Sequence, residues 1–355
     1  MTAQCPPTAD AFRDLSRIFT NRDGRVLEFE ILPPAFGPFL EDGCSVGITK
    51  MGLVQAFVVA RNIFFKSLKP QASSASERAT SDLSESGPES QDADKKLAIA
   101  SEIILLFDCE HLTACNWRKR RLRALFDAKK ETLIRELEIE VSLMTTYINS
   151  PLHRHTKSPT LWQHRQWVQT YLIRLLRPDF QAALDLFSGE LSVALRAGEL
   201  HPRNYYAFTY MRQIHHMLSK SGGEECGNWR IHLVQAILGS IVDWCLAHPA
   251  DISGLMFLLY LLEVVPDTAL RVDTVGKVVG FALDIGWEGE SLWTFIELAI
   301  REFNPRESSE KPAEYPWFIL NESNEPDKAG SPWKALLDKA RVHWADSSST
   351  ITHQP

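Results

Sequence analysis

The sequence predicts an all-α fold, an α-α superhelix in which helical hairpins stack into a solenoid. Apolar residues recur at three- and four-residue steps, as at Leu133, Leu137, Val141, Met144 and Ile148, a spacing that puts them on one helix face. A key residue, most often large, returns at positions 115, 162, 208 and 255, at intervals of 47, 46 and 47 residues, and again at 293 after 38. No stretch reads convincingly as a strand, with the two-residue alternation that a half-buried strand needs. A period near 47 suits one helical hairpin per unit, and a hairpin that cannot bury its own apolar face must stack on its neighbours.

Taken in order, residues 1–48 read as irregular, with Pro33, Pro34, Pro38 and glycines at 24, 37, 43 and 47. Residues 49–68 read as the first helix, with a broad face of Met51, Val54, Phe57 or Val58, Arg61, Phe65 and Leu68. An N-terminal region of residues 1–70 is thus expected to carry one helix. Residues 71–94 hold seven serines and six acidic residues in 24 positions, without an aromatic residue. Such a segment cannot bury enough apolar surface to offset its ordering entropy. It reads as a disordered insertion, either a neutral linker or a phosphorylation target.

Residues 95–303 read as helix after helix. Stripes run through Leu97, Ile99, Ile103, Leu106 and Phe107; through Phe180, Leu184, Phe187, Leu191 and Leu195; through Trp229, Leu233, Ile237, Ile241 and Trp244 or Cys245; and through Val272, Val275, Val279, Ala282 and Gly286. Ser158-Pro159 supplies an N-cap followed by proline at the first helical position. Ser253 is a second candidate cap, for a helix that Pro266 stops. Residues 304–355 form a tail with five prolines in 304–332, and 333–344 have the pattern of a last amphipathic helix.

Composition narrows the function. The 355 residues are 45% hydrophobic and 23% charged, with a net charge of -7, which disfavours non-specific nucleic-acid binding by the whole surface. The six cysteines are scattered without C-x-x-C spacing, so neither a zinc ribbon nor a disulfide framework is indicated. Residues 1–11 lack a signal-peptide pattern, and the longest apolar run, 254–262, is shorter than a membrane span. A cytoplasmic protein with no membrane span is the expectation.

At the repeated position, a tryptophan or its substitute is followed three residues later by an arginine at Cys115/Arg118 and at Trp162/Arg165. Trp117 with Arg120 is a competing register for the first; Cys115 keeps the interval even. In the third unit Phe208 precedes Met211, with Arg212 one residue beyond, and the fourth has Leu255 and Leu258. A buried tryptophan removes ~150–250 Å² from water, a gross ~4–6 kcal/mol. The arginine shares its helix face and can bridge to carboxylates or carbonyls of the next hairpin. Arg118, Trp162, Arg165, Trp167, Phe208, Arg212 and Trp293 are therefore candidate structural residues of the repeat.

Three other clusters carry polar chemistry. Arg118, Lys119, Arg120, Arg121, Arg123, Lys129 and Lys130 form a basic run, read as a solvated or partner-facing helix surface rather than a phosphate site or nuclear signal. His153 and His155 read as an exposed loop pair. His215-His216 has no cysteine or carboxylate at ligand spacing.

The segment Trp162-Gln-His-Arg165-Gln-Trp167, preceded by Lys157, resembles the repeat of protein prenyltransferase alpha subunits, approximately K-N-Y-x-x-W-x-H-R-x-W. Asn204-Tyr205-Tyr206-Ala-Phe208 is similar to the neighbouring family repeat N-Y-H-A-W. The resemblance covers roughly residues 95–300 and is densest in the second repeat. It implies a crescent of helical hairpins around a beta subunit, which carries zinc and most of the isoprenoid pocket. It implies an enzyme only in that complex, a geranylgeranyl-type transferase acting on a C-terminal cysteine of a protein substrate. By the same resemblance Lys157 is the lysine given to the isoprenoid diphosphate. Tyr205 falls on the family tyrosine near that leaving group, and Tyr206 replaces its histidine. No zinc-ligand spacing or Gly-rich phosphate loop occurs in this chain. The alternative reading is a non-catalytic helical-repeat scaffold.

Overall fold

The computed structural model describes residues 10–68, 88–152, 154–221 and 228–303. Among them lie twelve α-helices and three short strands, so the fold is all-α with one small sheet. The tail, with the amphipathic helix expected at 333–344, and most of the serine-rich insertion lie outside the described residues. Two compact units divide the chain, residues 1–179 with 189–217, and residues 180–188 with 218–355.

In the first unit, helix α1 (Ala11–Thr20) is capped by Asp10, whose carboxylate accepts from the Arg13 N–H at 3.2 Å, and it buries Leu15, Ile18 and Phe19. A sheet then replaces the expected irregular stretch. Strands β1 (Glu28–Leu32), β2 (Phe39–Asp42) and β3 (Ser45–Thr49) lie in the order β1-β3-β2, with β1 parallel and β2 antiparallel to β3. Glu28-Phe29-Glu30-Ile31 does alternate, but over too few residues to stand out against the prolines around it. Gly37 and Gly43 turn the chain with φ of 82° and 60°, conformations that favour glycine.

Helix α2 (Lys50–Leu68) matches the expected span but presents a different face. It buries Gly52, Leu53, Ala56, Ala60 and Phe64, while Met51, Val58 and Leu68 are exposed. The helix is apolar nearly all round, so periodicity alone could not select a face. Helix α2 packs on α1 and on α3 (Pro88–Phe107), and its Gly52 lies close to the Pro38 carbonyl, Thr49 and Ile48. Helix α3 begins inside the serine-rich insertion, so residues 88–94 are helical rather than disordered.

Five helices follow in or into this unit: α4 (Leu112–Arg123), α5 (Lys130–Ile148), α6 (Pro159–Leu176), α7 (Phe180–Leu200) and α8 (Tyr205–Ser221). The second unit holds α9 (Trp229–Ala247), α10 (Ile252–Val264), α11 (Thr268–Asp284) and α12 (Glu290–Phe303). There α10 packs on α9 and α12, and α11 on α12. Gly286 lies beyond α11, in a left-handed turn of φ 62°. Helices α2 and α9, 19 residues each with mean hydropathy of 1.2 and 1.3, are long and apolar enough to cross a membrane by those measures. A core helix of a globular protein passes the same test, and each packs one face on neighbouring helices of its unit.

The repeat is structurally regular. Helices α4, α6, α8, α10 and α12 begin at 112, 159, 205, 252 and 290, so Cys115, Trp162, Phe208, Leu255 and Trp293 are each the fourth residue of a helix, and all are buried. The residue four positions before the key residue caps the helix. His111, Ser158, Asn204 and Asp251 accept from backbone N–H groups of Ala114, Leu161, Ala207, and Ser253 with Gly254. Asp251, not Ser253, is therefore the cap of α10. A side-chain acceptor there satisfies N–H groups that the first helical turn leaves open.

Candidate functional site

Two buried arginines organise the first unit, and they do so in the same way. Arg118 grips the Glu140 carboxylate with Nε at 2.8 Å and Nη2 at 2.5 Å, while its Nη1 donates to the Ala98 carbonyl at 3.2 Å and the Ser101 hydroxyl at 2.8 Å. Arg165 grips Glu190 with Nε at 2.7 Å and Nη2 at 2.8 Å, and its Nη1 donates to the Val141 carbonyl at 3.0 Å and the Thr145 hydroxyl at 2.7 Å. Each guanidinium thus ties the helix after it, through a carboxylate, to the helix before it, through a carbonyl and a hydroxyl. Bidentate geometry of this kind uses the rigid fork of arginine, which lysine lacks.

Further groups complete the network. His164 Nε2 lies 2.7 Å from Glu140 and Glu102 lies 3.4 Å from Arg118. Gln169 and the Tyr210 hydroxyl donate to Glu190 at 2.7 and 2.6 Å. Burial pushes the Glu140 carboxyl up, but Arg118 and His164 overcome it and hold the group below the usual carboxylate range. Burial raises Glu102, partly countered by Arg118, and burial holds His164 below the usual imidazole value against the pull of Glu140.

Lys157 closes a 3-10 turn, His155–Lys157, just before α6. It is half-buried, and its ammonium forms no ion pair among the described residues. Tyr205 and Tyr206 open α8 and are 55% and 47% exposed. These two places are joined one residue upstream of each. The Thr156 carbonyl accepts from the Asn204 amide at 2.7 Å and from the Trp162 indole at 2.8 Å. The Thr156 hydroxyl lies 2.7 Å from His201 Nδ1. Asn204 and Thr156 are fully buried, so the backbone bearing Lys157 is fastened to the backbone bearing the tyrosines. The ammonium of Lys157 and the phenols of Tyr205 and Tyr206 are each hydrogen-bond donors of the kind an anion accepts from.

The other candidates fall out differently. Met211, not Arg212, occupies the arginine position of α8 and is buried; Arg212 is half-buried. Trp167 is partly buried against Leu122, Leu133, Leu137, Val168 and Leu172. The basic run is not one solvated face, because Arg118 is internal and Arg121 pairs with Asp94 at 2.7 Å and Glu136 at 3.0 Å. His155 is not exposed. It is buried with Nε2 3.0 Å from the Leu105 carbonyl, and burial pushes its pKa down to about 4; His153 lies outside the described residues. Among the described residues no group of three His, Cys, Asp or Glu side chains could hold a metal ion.

Sequence reasoning missed Glu140 and Glu190, and gave no role to His164 and Asn204 although both lie in the motifs that carry the resemblance. A signal existed for the carboxylates: they follow their arginines by 22 and 25 residues, on the stripe of the next helix. Asn204 was legible as the first residue of the Asn-Tyr-Tyr-Ala-Phe motif, and the structure adds its place as a cap four residues before the key position.

Residues 187–218 match the family model of the protein prenyltransferase alpha subunit repeat. The match spans much of α7 and α8, including Glu190, Asn204, Tyr205, Tyr206, Phe208 and Tyr210. It falls on the third repeat, whereas the motif resemblance is densest in the second. A search among curated proteins returns no significant match. The chain carries a protein prenyltransferase alpha subunit repeat within an all-α helical-repeat fold.

Proposed function

We propose that this chain, as the bearer of a protein prenyltransferase alpha subunit repeat, is the alpha-type subunit of a heterodimeric prenyltransferase. The observation that carries the reading is the family match over residues 187–218, which contains both tyrosines of the Lys157 edge. The enzyme would be cytoplasmic and would transfer a geranylgeranyl group to a C-terminal cysteine of a protein substrate. In that reaction the substrate thiolate bonds to C1 of the isoprenoid, and the bond from C1 to the diphosphate oxygen breaks. Zinc on the beta subunit would activate the thiol; this chain would supply the other half of the chemistry. Negative charge grows on the departing diphosphate, and a fixed ammonium stabilises it more in the transition state than in the ground state. Lys157 has that role, with the Tyr205 and Tyr206 hydroxyls donating further hydrogen bonds.

Co-expression with a prenyltransferase beta subunit, followed by a prenyl-transfer assay with geranylgeranyl diphosphate, tests the proposal. We expect a stable complex whose kcat falls by roughly 10²–10³-fold in Lys157→Ala. Failure to form any complex would overturn the subunit reading. A complex that transfers lipid equally well with Lys157→Ala would move the chain to a scaffold role.

A further inference from the structure

The basic run of residues 118–130 leaves part of its charge unused once the ion pairs are assigned. Arg118 and Arg121 are paired internally. Lys119 and Arg123, one helical turn apart on α4, both lie over the Trp167 ring, at 5.8 and 5.5 Å from its centroid. Trp167 continues into an aromatic ladder, with Tyr171 at 4.8 Å and Phe126 a further 4.8 Å on, and Phe126 is 38% exposed. Arg120 is exposed beside this face. Asp127 and Glu131 are the carboxylates nearest in sequence, and neither forms an ion pair among the described residues.

Two like charges at i and i+4 repel. The ring attracts both cations but cannot neutralise either. Consistent with that, burial holds the Lys119 ammonium below its usual pKa, and Arg123 pushes it the same way. An anion between the two cations would remove the repulsion and keep both on the indole. The neighbouring Phe126 offers apolar surface for a side chain next to that anion.

We propose that Lys119, Arg123, Trp167, Tyr171 and Phe126 form a docking face for an acidic segment of a partner protein, with one carboxylate between the two cations and an apolar side chain on Phe126. The alternative polyanions fit less well. A nucleic acid tracks along an extended basic groove, whereas here the unpaired cations fill one helix turn and the loop after it. A long polyanion runs past the patch, and each of its charges comes within a Debye length of ~8 Å of other parts of a surface whose net charge is -7; a short acidic segment meets only the local patch. The face is separate from the Lys157 edge, since Tyr171 lies twelve residues, ~18 Å, along α6 from Pro159.

The test is fluorescence anisotropy of a short labelled polyglutamate peptide carrying a central leucine, titrated with the full chain. We expect saturable binding that weakens with salt and falls about ten-fold in the Lys119→Glu/Arg123→Glu double variant. Phe126→Ala should weaken it several-fold at unchanged salt slope, and Lys277→Glu, in the other unit, should leave it unchanged. Should the double variant fail to fold, Arg123→Glu alone, at an exposed position, must still weaken binding. Binding that is absent in the wild type, or unchanged in these charge reversals, would overturn the proposal. So would a preference for anionic vesicles or single-stranded RNA over the peptide.

Discussion

Helices α6 and α10 place the same helix position in opposite chemistry. In α6 the fourth and seventh residues are Trp162 and Arg165; in α10 they are Leu255 and Leu258. All four are buried. Helix α4 follows the first pattern, with Arg118, and α12 the second, with Trp293 and Ile296. At these positions the first unit therefore fixes neighbouring helices with buried guanidiniums and the second with apolar packing, although Arg271 still donates to the Leu262 and Val265 carbonyls and Ser291 to the Ala250 carbonyl. A buried ion pair contributes little net stability over a packed apolar pair, because desolvation of both charges offsets their attraction. What the arginines add is register: one guanidinium specifies which carbonyl, hydroxyl and carboxylate must face it.

The sharpest way to break this difference is to remove one partner. Arg165→Met leaves Glu190 buried with only Gln169 and Tyr210 as donors, and we expect a loss of ~3–5 kcal/mol in urea melts. Leu258→Ala creates a cavity at the matching position of α10 and should cost ~2–5 kcal/mol. The two are separated by rescue: Arg165→Met with Glu190→Leu should recover more than half of the first loss, because no unpaired charge remains. A double variant as unstable as Arg165→Met alone would mean that packing volume, not charge, decides the position in both units.

A smaller effect comes from pH, and it is confined to the first unit. Burial depresses His155 to about 4, from an ordinary 6.5. Its Nε2–H is used on the Leu105 carbonyl, and its Nδ1 is buried without a hydrogen-bond partner, so a second proton would bury a charge. Because the folded value lies below the unfolded one, the stabilisation is complete above pH ~6.5 and fades as pH falls toward ~4. Glu140, held lower still, adds a second loss once pH drops below the usual carboxylate value of ~4.3. Between pH 7 and pH 5 the His155 contribution should fall by about 2 kcal/mol. His155→Gln keeps a donor and should flatten that slope in urea melts at the two pH values; an unchanged slope would assign the titration to another group.

The same contrast governs what could be read from sequence. Position-specific packing was legible, because Cys115, Trp162, Phe208, Leu255 and Trp293 return at near-constant spacing and periodicity reports apolar faces directly. The strands were not, because β1 and β3 are five residues each and sit among prolines and glycines. The face of α2 was not, because an all-round apolar helix has no preferred stripe. The polar network was half legible: Arg118 and Arg165 stand out, but a buried glutamate such as Glu140 looks like any helix-surface glutamate until its partner is known. The exposure of Tyr205 and Tyr206, and their attachment to Lys157 through Thr156 and Asn204, depend on a contact across 48 residues that no local pattern encodes.

Asn204 and Asp251 give the finest comparison, with the smallest expected effect on stability. Both stand four residues before the key position and both cap their helices. Asp251 accepts from Ser253 and Gly254 of the helix it caps. Asn204 accepts from Ala207 and also donates to Thr156, so one side chain caps α8 and fastens the turn that carries Lys157. Serine can replace the capping oxygen at either place but not the amide donor. Asp251→Ser should therefore change stability by less than ~0.5 kcal/mol. Asn204→Ser should cost ~1 kcal/mol for the lost bond, the Trp162 indole still satisfying the Thr156 carbonyl. In the complex with a beta subunit, Asn204→Ser should lower kcat while leaving assembly intact, because the ammonium of Lys157 is no longer held on the same edge as the two phenols. Equal effects of the two substitutions on stability and none on kcat would reduce Asn204 to a cap, and would separate the Lys157 edge from the frame that supports it.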